Sequence, residues 1–494
     1  MSSWIPYSLV HQLDARVAVA EHSRRIGRRI TLAEVPEEEL EKWSSCHFDA
    51  VWLMGVWQTG EHSRTLALNN PRLIGEWASA LPNWTPADVI SSPFSISQYS
   101  VAQALGGEVA LAEFRKRLAG RGIKLILDFV PNHTAPEHEW VKTNREFYIA
   151  IPKDRLQQMD KAAYFRTEDG EQLACGRDPN SPPWSDTLQL NFANADLRRT
   201  LIEVLCQIAC QCDAVRCDMA MLMLKDVFNG IWAKLAGKMR AEFWDVAIAE
   251  VKAIAPDFLF LAEAYWGTEW HLQQLGFDFI YDKPLYDMIL RQEIAATKRH
   301  LGANRDFARK LVRFTENHDE MRAATAFGAN KKAASLLTLT LTGLRLIHEG
   351  QLEGLRLKQP LYLARRLEEE PDCDVRAFYE RLLRVINDPA ITRGDLHEIE
   401  LKGEGASAVI AFERRCGDEG RIITAVNLSE RGEEIIFSTD AFEQLRSYQG
   451  MEIISTELTP SPQFDLWPRG ITLRLRPHEG LVLVARWTPE IPDR

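Results

Sequence analysis

Several features are scarce in this chain of 494 residues, and each scarcity removes a class of function. No apolar run is long enough to span a bilayer, and "MSSWIPYSLVHQLDARVAVAEHSRR" has no apolar stretch behind a basic one. A cytoplasmic protein without a membrane partner is therefore predicted. Basic charge is short, with 59 Lys and Arg against 70 Asp and Glu, and the net −11 repels a phosphate backbone or an anionic membrane surface. An uncharged ligand suits such a chain better than a nucleic acid. The eight cysteines lie mostly inside apolar segments rather than at loop spacings, so they read as reduced core residues. No second CxxC-like pair or histidine cluster accompanies Cys206, Cys210 and Cys212, so zinc is not expected there. No GxGxxG opens a helix, which weakens the case for an open doubly wound sheet, and no internal repeat stands out.

What is present is an alternation of short apolar runs and longer amphipathic stretches. "FDAVWLMGV" (48–56) precedes a helix near 107–120 that leads into "RGIKLILDFV", and "CDAVRCDMA" (212–220) precedes a long helical stretch around 225–255, ended by Pro256. "FLFLAEAYW" (258–266), "FDFIYDK" (277–283), "LVRFTENHDE" (311–320) and "LRLIHEG" (344–350) follow, with helical spacers between them. Alternation on this scale predicts a parallel sheet closed into a (β/α)8 barrel. Between His133 and Asp213 the chain is too long for one crossover, and text such as "GRDPNSPPWSD" predicts an inserted loop domain over 134–195. Beyond residue 395 the pattern changes. "ASAVIAFER", "RIITAVNLS", "ITLRLRP" and "LVLVARW" alternate with turns and predict a C-terminal antiparallel β-domain. The predicted division is 1–133 and 196–394 for the barrel, 134–195 for the insertion and 395–494 for the β-domain.

The strand ends carry the candidate chemistry. "LILDFVPNHTAP" (125–136) is an apolar run that Pro131 stops, leaving Asp128, Asn132 and His133 where strand gives way to loop. Arg216 and Asp218 are two residues apart, so both side chains leave one face of their strand, and the guanidinium is expected to lower the Asp218 pKa and keep it ionised as a nucleophile. Glu263, beside Tyr265 and Trp266, is expected in apolar surroundings that hold a proton for a leaving group. His318 and Asp319 end a fourth strand. Two carboxyl groups tuned apart suit glycoside hydrolysis through a covalent intermediate.

"DFVPNH", "AVRCD", "LAEA" and "ENHD", in this order, resemble the four signature segments of the α-amylase family of glycosidases and transglycosidases. The resemblance implies a (β/α)8 TIM barrel, an inserted domain after its third strand and a C-terminal β-sandwich. It implies that Asp218 is the nucleophile, Glu263 the general acid/base, and Asp319 a third carboxylate that binds sugar hydroxyls and stabilises the transition state. Arg216 would stand beside the nucleophile, His133 and His318 would bond sugar hydroxyls, and Asp128 and Asn132 would shape the site.

The departures from the family pattern carry expectations too. In "SPFSISQY" (92–99), Phe94 stands where a tyrosine usually stacks on the sugar, so stacking is kept and a hydroxyl is lost. Gln189 in "LQLN" replaces an aspartate that often binds calcium, so neither calcium nor any other cofactor is expected. Met221 and Leu222 replace the Lys-His common after the nucleophile and, with Met219, are expected to form an apolar rim favouring transfer to an acceptor. Trp184 and Trp266 are either core residues or sugar platforms. Three functions stay open: a retaining α-glucoside hydrolase, a transglycosidase with a sugar or phosphate acceptor, and a silent glycan-binding relative.

Overall fold

In the computed structural model of the chain, the described residues are 8–416, 420–437, 451–457, 463–467 and 470–486. The first seven residues and Trp487 of the expected last strand lie outside them. Eight parallel strands close a barrel: β1 (Leu9–Asp14), β2 (Ala50–Met54), β3 (Lys124–Phe129), β4 (Ala214–Cys217), β5 (Leu259–Ala262), β6 (Phe279–Tyr281), β7 (Leu311–Arg313) and β8 (Leu344–His348). Pairing of Leu9 with Arg345 through Gln12 with His348 joins β1 to β8 and completes the ring. Almost every strand residue is buried, because the barrel interior covers one face and the helices cover the other.

The helices follow from local signals. In Ala195–Gln211, Asn194 caps the first turn through the amides of Asp196 and Leu197, and Leu197, Leu201, Leu205 and Ile208 form one buried stripe. Two expectations are corrected here. The stretch 225–255 is two helices, Lys225–Ala236 and Trp244–Ile254, because the chain turns at Gly237 with φ 81°. Strand β1 was absent from the predicted set: its "LVHQLD" interrupts an apolar run with His11 and Gln12, yet all six residues are buried.

The cysteines also differ from expectation. Cys175, Cys212 and Cys217 are buried, whereas Cys210 and Cys373 are exposed and Cys46, Cys206 and Cys416 are half-buried, all of them free thiols. Cys206 and Cys210 stand a turn apart on the helix Ala195–Gln211, Cys206 packed partly against the core and Cys210 exposed.

Between His133 and the helix at Ala195 the chain leaves the barrel and forms two small antiparallel pairs, His133–Thr134 with Leu188–Gln189 and Tyr164–Arg166 with Gln172–Ala174. After the helix Cys373–Ile386 it builds two antiparallel sheets, one of five strands and one of four. Val409, Ile423, Leu481 and Leu483 from the first pack against Ile435, Phe437, Leu473 and Leu475 from the second, the dry interface of a sandwich. Buried Arg414 fastens this domain to the barrel by donating to the carbonyls of Gly394 (2.9 Å) and Thr340 (3.0 Å).

The turn into β8 depends on Gly343. Its φ is 110°, and a Cβ added there would lie 2.2 Å from the carbonyl oxygen of Leu311 in the neighbouring strand. Gly343→Ala is expected to cost about 3 kcal/mol or more, since backbone strain and a steric clash act together. A denaturant midpoint equal to that of the parent would refute it.

Candidate active site

The strands deliver the candidate residues to one end of the barrel. Register places Arg216 of β4 opposite Asp128 of β3 and Leu261 of β5, two residues before Glu263. The Arg216 guanidinium, 1% exposed, donates through Nη1 to Asp218 Oδ1 (2.7 Å) and through Nη2 to Glu263 Oε2 (2.6 Å), with Asp128 Oδ1 at 3.7 Å. It also lies over the rings of Trp52 (5.2 Å) and Phe94 (5.3 Å). Asp128 is fixed from behind by Trp52 Nε1 (3.0 Å) and the Gly55 amide (3.3 Å). One cation thus stands among three buried acids. Burial opposes the charge of Arg216, but the carboxylates around it, Glu263 first, raise its pKa well above the ordinary arginine value.

The expectation that Asp218 has a depressed pKa is corrected. Burial pushes its carboxyl up to about 8; Arg216 pulls the other way as expected, and Glu263 adds to the rise. Asp128 is likewise pushed up to about 6 by burial, against the pull of Arg216. Nor is Glu263 set in apolar surroundings. Its Oε2 accepts from Arg216 and from the Met219 amide (2.7 Å), and its Oε1 accepts from the Tyr265 hydroxyl (2.8 Å). Asp218 and Glu263 are thus tied to one guanidinium.

Around this cluster lies a cavity of about 590 Å³. Asp319 reaches it with an exposed carboxylate 3.1 Å from His318 Nε2, and His318 Nδ1 is 2.7 Å from Gln12 Nε2. Phe94 packs 5.4 Å from the His318 ring, and His133 meets the edge of Trp184 at 5.2 Å. Burial lowers both histidines, His133 to about 4 and His318 to about 3, so both stay neutral near pH 7. Trp184 and Trp266 both line the cavity, Trp184 packing also against the core and Trp266 standing exposed. The structure therefore brings together Phe94, His133, Asp218, Glu263 and Asp319 around one space, with Arg216 and Asp128 beneath it.

The apolar rim is corrected. Met219 lines the cavity, but Met221 and Leu222 are 0% and 2% exposed, turned into the core by the short 3-10 helix Ala220–Met223. Asn132 and Gln189 bond to one another instead of facing an ion. Gln189 Nε2 donates to Asn132 O and Oδ1 (3.0 Å each), and Asn132 Nδ2 donates to Gln189 Oε1 (3.3 Å). Two amides turned on each other, with no carboxylate between them, do not fit calcium's need for several oxygen ligands.

Sequence reasoning missed Gln12, Trp52, the Met219 amide and the polar role of Tyr265. A strand-interior Gln in an apolar run was the only signal for Gln12. The Met219 amide points at Glu263 because Met219 adopts a left-handed conformation, φ 44°, which no residue type at that position announces.

The sequence profile described as the α-amylase catalytic domain matches residues 48–392. Among characterised relatives, α-amylase 3 of Dictyoglomus thermophilum is 25% identical over 266 residues, 49% of this chain and 49% of that one. α-Amylase MalA of Haloarcula japonica is 22% identical over 452 residues, 88% of this chain and 55% of that one. The chain thus spans about half the length of the relatives it matches. A noncanonic maltogenic α-amylase of Thermotoga neapolitana has the same fold, with TM-score 0.67, 16% identity, and 98% of this chain and 99% of that one covered. With the profile covering most of the chain and the barrel in place, this protein belongs to the α-amylase family.

Proposed function

We propose that the protein is a retaining glycosidase that cleaves α-glucosidic bonds through a covalent glycosyl-enzyme intermediate. The observation that carries this reading is the single guanidinium between Asp218 and Glu263. Two carboxyl groups bonded to one planar fork stand close together, as a nucleophile and an acid must, and not far apart with a water between them as inversion requires. Glu263 protonates the glycosidic oxygen while Asp218 attacks the anomeric carbon through the oxygen not held by Arg216. The leaving sugar departs with the proton. Glu263 then takes a proton from water, which attacks the anomeric carbon and frees Asp218.

The remaining residues serve the sugar. Neutral His133 offers a ring nitrogen to its hydroxyls, Phe94 offers a face to its carbon-rich side, and Asp319, with His318 beside it and outside the cavity lining, accepts from hydroxyls that become more acidic as positive charge develops on the ring. Bound substrate favours the protonation that the reaction needs. A glycosidic oxygen beside Glu263 favours the protonated acid, and a positive anomeric carbon beside Asp218 favours its anion. With Met221 and Leu222 in the core, the support for transfer to an acceptor falls away and hydrolysis is the better-supported outcome. The eight free thiols suit the reducing cytoplasm, which we propose as the location.

Three expectations test this reading. Asp218→Asn and Glu263→Gln are nearly isosteric, and each should lower kcat by roughly a thousandfold or more while circular dichroism stays unchanged. NMR of the parent reaction should show the α anomer released first. Activity retained in either variant, or a β anomer released first, would refute the roles.

The raised pKa of Asp218 makes a separate forecast about stability. An acid with a folded pKa near 8 and an ordinary unfolded value stabilises the fold below about pH 4, and that contribution is lost as pH rises towards 8. Asp218→Asn carries no such proton. Its melting temperature should match the parent's near pH 4 and exceed it by a few degrees at pH 8. A constant difference across this range would contradict the burial argument.

Calcium supplies the third test. We propose that no calcium sits between barrel and insertion, so a chelator should leave the melting temperature where it was. A large fall that added calcium reverses would show that Asn132 and Gln189 open to an ion.

A further inference from the structure

The cavity has one feature that the chemistry of cleavage does not require: one of its ends is walled. The loop after β8, residues 349–372, is zipped to the loop after β2. Val89 and Leu363 form a β-bridge, the Ile90 amide donates to Tyr362 O (2.8 Å), the Ala364 amide donates to Asp88 O (2.9 Å), and Arg365 Nε pairs with Asp88 (3.0 Å). Beneath this seam the two loops share a small apolar core of their own, built from Trp77, Leu81, Val89, Leu363 and Leu367. The inserted domain joins them. Asp186 accepts from Ser63 Oγ (2.7 Å) and lies 3.4 Å from the Tyr362 hydroxyl, and its carbonyl accepts from Ser95 Oγ (2.7 Å). Three loops from three parts of the sequence therefore meet in a packed junction, and a junction with its own core is a fixed wall rather than a flap.

The position of the wall follows from the two carboxyl groups. Glu263 must face the bond being broken, so the leaving group lies on the side of Met219, Tyr265 and Trp266. The C4 end of the sugar ring, opposite its anomeric carbon, then points away from Glu263 towards Ser92, Leu361 and Tyr362. A substrate that continued beyond C4 would have to pass the junction. A separate small cavity lined by His318, Lys358 and Leu361 measures about 20 Å³, room for one water and not for a sugar.

We infer, resting on the glycosidase reading above, that the cavity is a one-ended pocket that binds a single terminal glucosyl unit at the non-reducing end of an α-glucoside and excludes chains that continue past it. Leu361 and Tyr362 are the specificity-determining side chains, and the Asp88–Arg365 ion pair and the contact of Asp186 with the Tyr362 hydroxyl position them.

Release of 4-nitrophenol from two probes tests this in the full chain. One is 4-nitrophenyl α-glucoside. The other is 4-nitrophenyl α-maltoside blocked at its non-reducing end by a 4,6-ethylidene group, which can react only if a second sugar passes the wall. The glucoside should react at least about a hundredfold faster in kcat/KM. Equal or faster release from the blocked maltoside would overturn the one-ended pocket while upholding the glycosidase. No 4-nitrophenol from either probe, together with no glucose from maltose, sucrose or trehalose, would overturn the glycosidase reading and this inference with it. In Leu361→Gly/Tyr362→Ala, the ratio of blocked maltoside to glucoside should rise by about tenfold, because the side chains that exclude the second sugar are gone. An unchanged ratio, in a variant that still releases 4-nitrophenol from the glucoside, would show that the wall does not set the specificity.

Discussion

The guanidinium of Arg216 is the group on which the site depends. Asp128, Asp218 and Glu263 are each 5% exposed or less, and burying three carboxyl groups together without a cation would drive protons onto them or force the pocket open. A lysine could not replace it. An ammonium is a point charge, whereas the planar fork addresses two acids in fixed directions at once and rests on the faces of Trp52 and Phe94. The arrangement also explains why Asp128 is present although it does not line the cavity. Held by Trp52 Nε1 and the Gly55 amide, it supplies negative charge behind the arginine and keeps the fork from swinging away from the two acids in front.

That charge balance has a cost for the fold. Burial pushes Asp218 up to about 8 and Asp128 up to about 6, so the site resists full ionisation. Backbone strain gathers at the same place. Met219 and Trp266, one residue after Asp218 and three after Glu263, are both non-glycine residues with positive φ, 44° and 63°. At Met219 the conformation has a visible return, since it turns the amide onto Glu263 Oε2 while the next amide, that of Ala220, donates to the Glu263 carbonyl at 3.0 Å. The loops after β4 and β5 are thereby tied together across the site, between Asp218 and Glu263.

The legible part of this architecture was what a strand end shows by itself. An apolar run that stops in Asp, Asn or His marks a barrel's working face, and four such stops were readable at Asp128, Asp218, Glu263 and Asp319. What escaped depends on neighbours from distant sequence. Gln12 broke the apolar pattern of β1 and hid the strand, and only the folded ring shows it beside His318. The family resemblance places Met221 and Leu222 in the cleft, but a 3-10 turn rotates side chains by a different step from a strand and sends both inward. Asp218 was judged from Arg216 alone. Its proton affinity is set by burial and by Glu263, 45 positions away in sequence, and no local window contains that sum.

The closed end of the pocket shows how a widespread barrel acquires a specific shape. The eight strands fix where the carboxyl groups stand, and that geometry would serve an open groove equally well. Shape comes from loops whose contacts have nothing to do with catalysis: a β-bridge at Val89 and Leu363, an ion pair at Asp88 and Arg365, and a shared aspartate at Asp186. Because these contacts bind the loops to one another rather than to the barrel, sequence change in the wall alters which chain end can enter without disturbing the charges around Arg216. The chemistry and the selectivity of the site thus rest on separate sets of interactions, one buried in the barrel and one assembled above it.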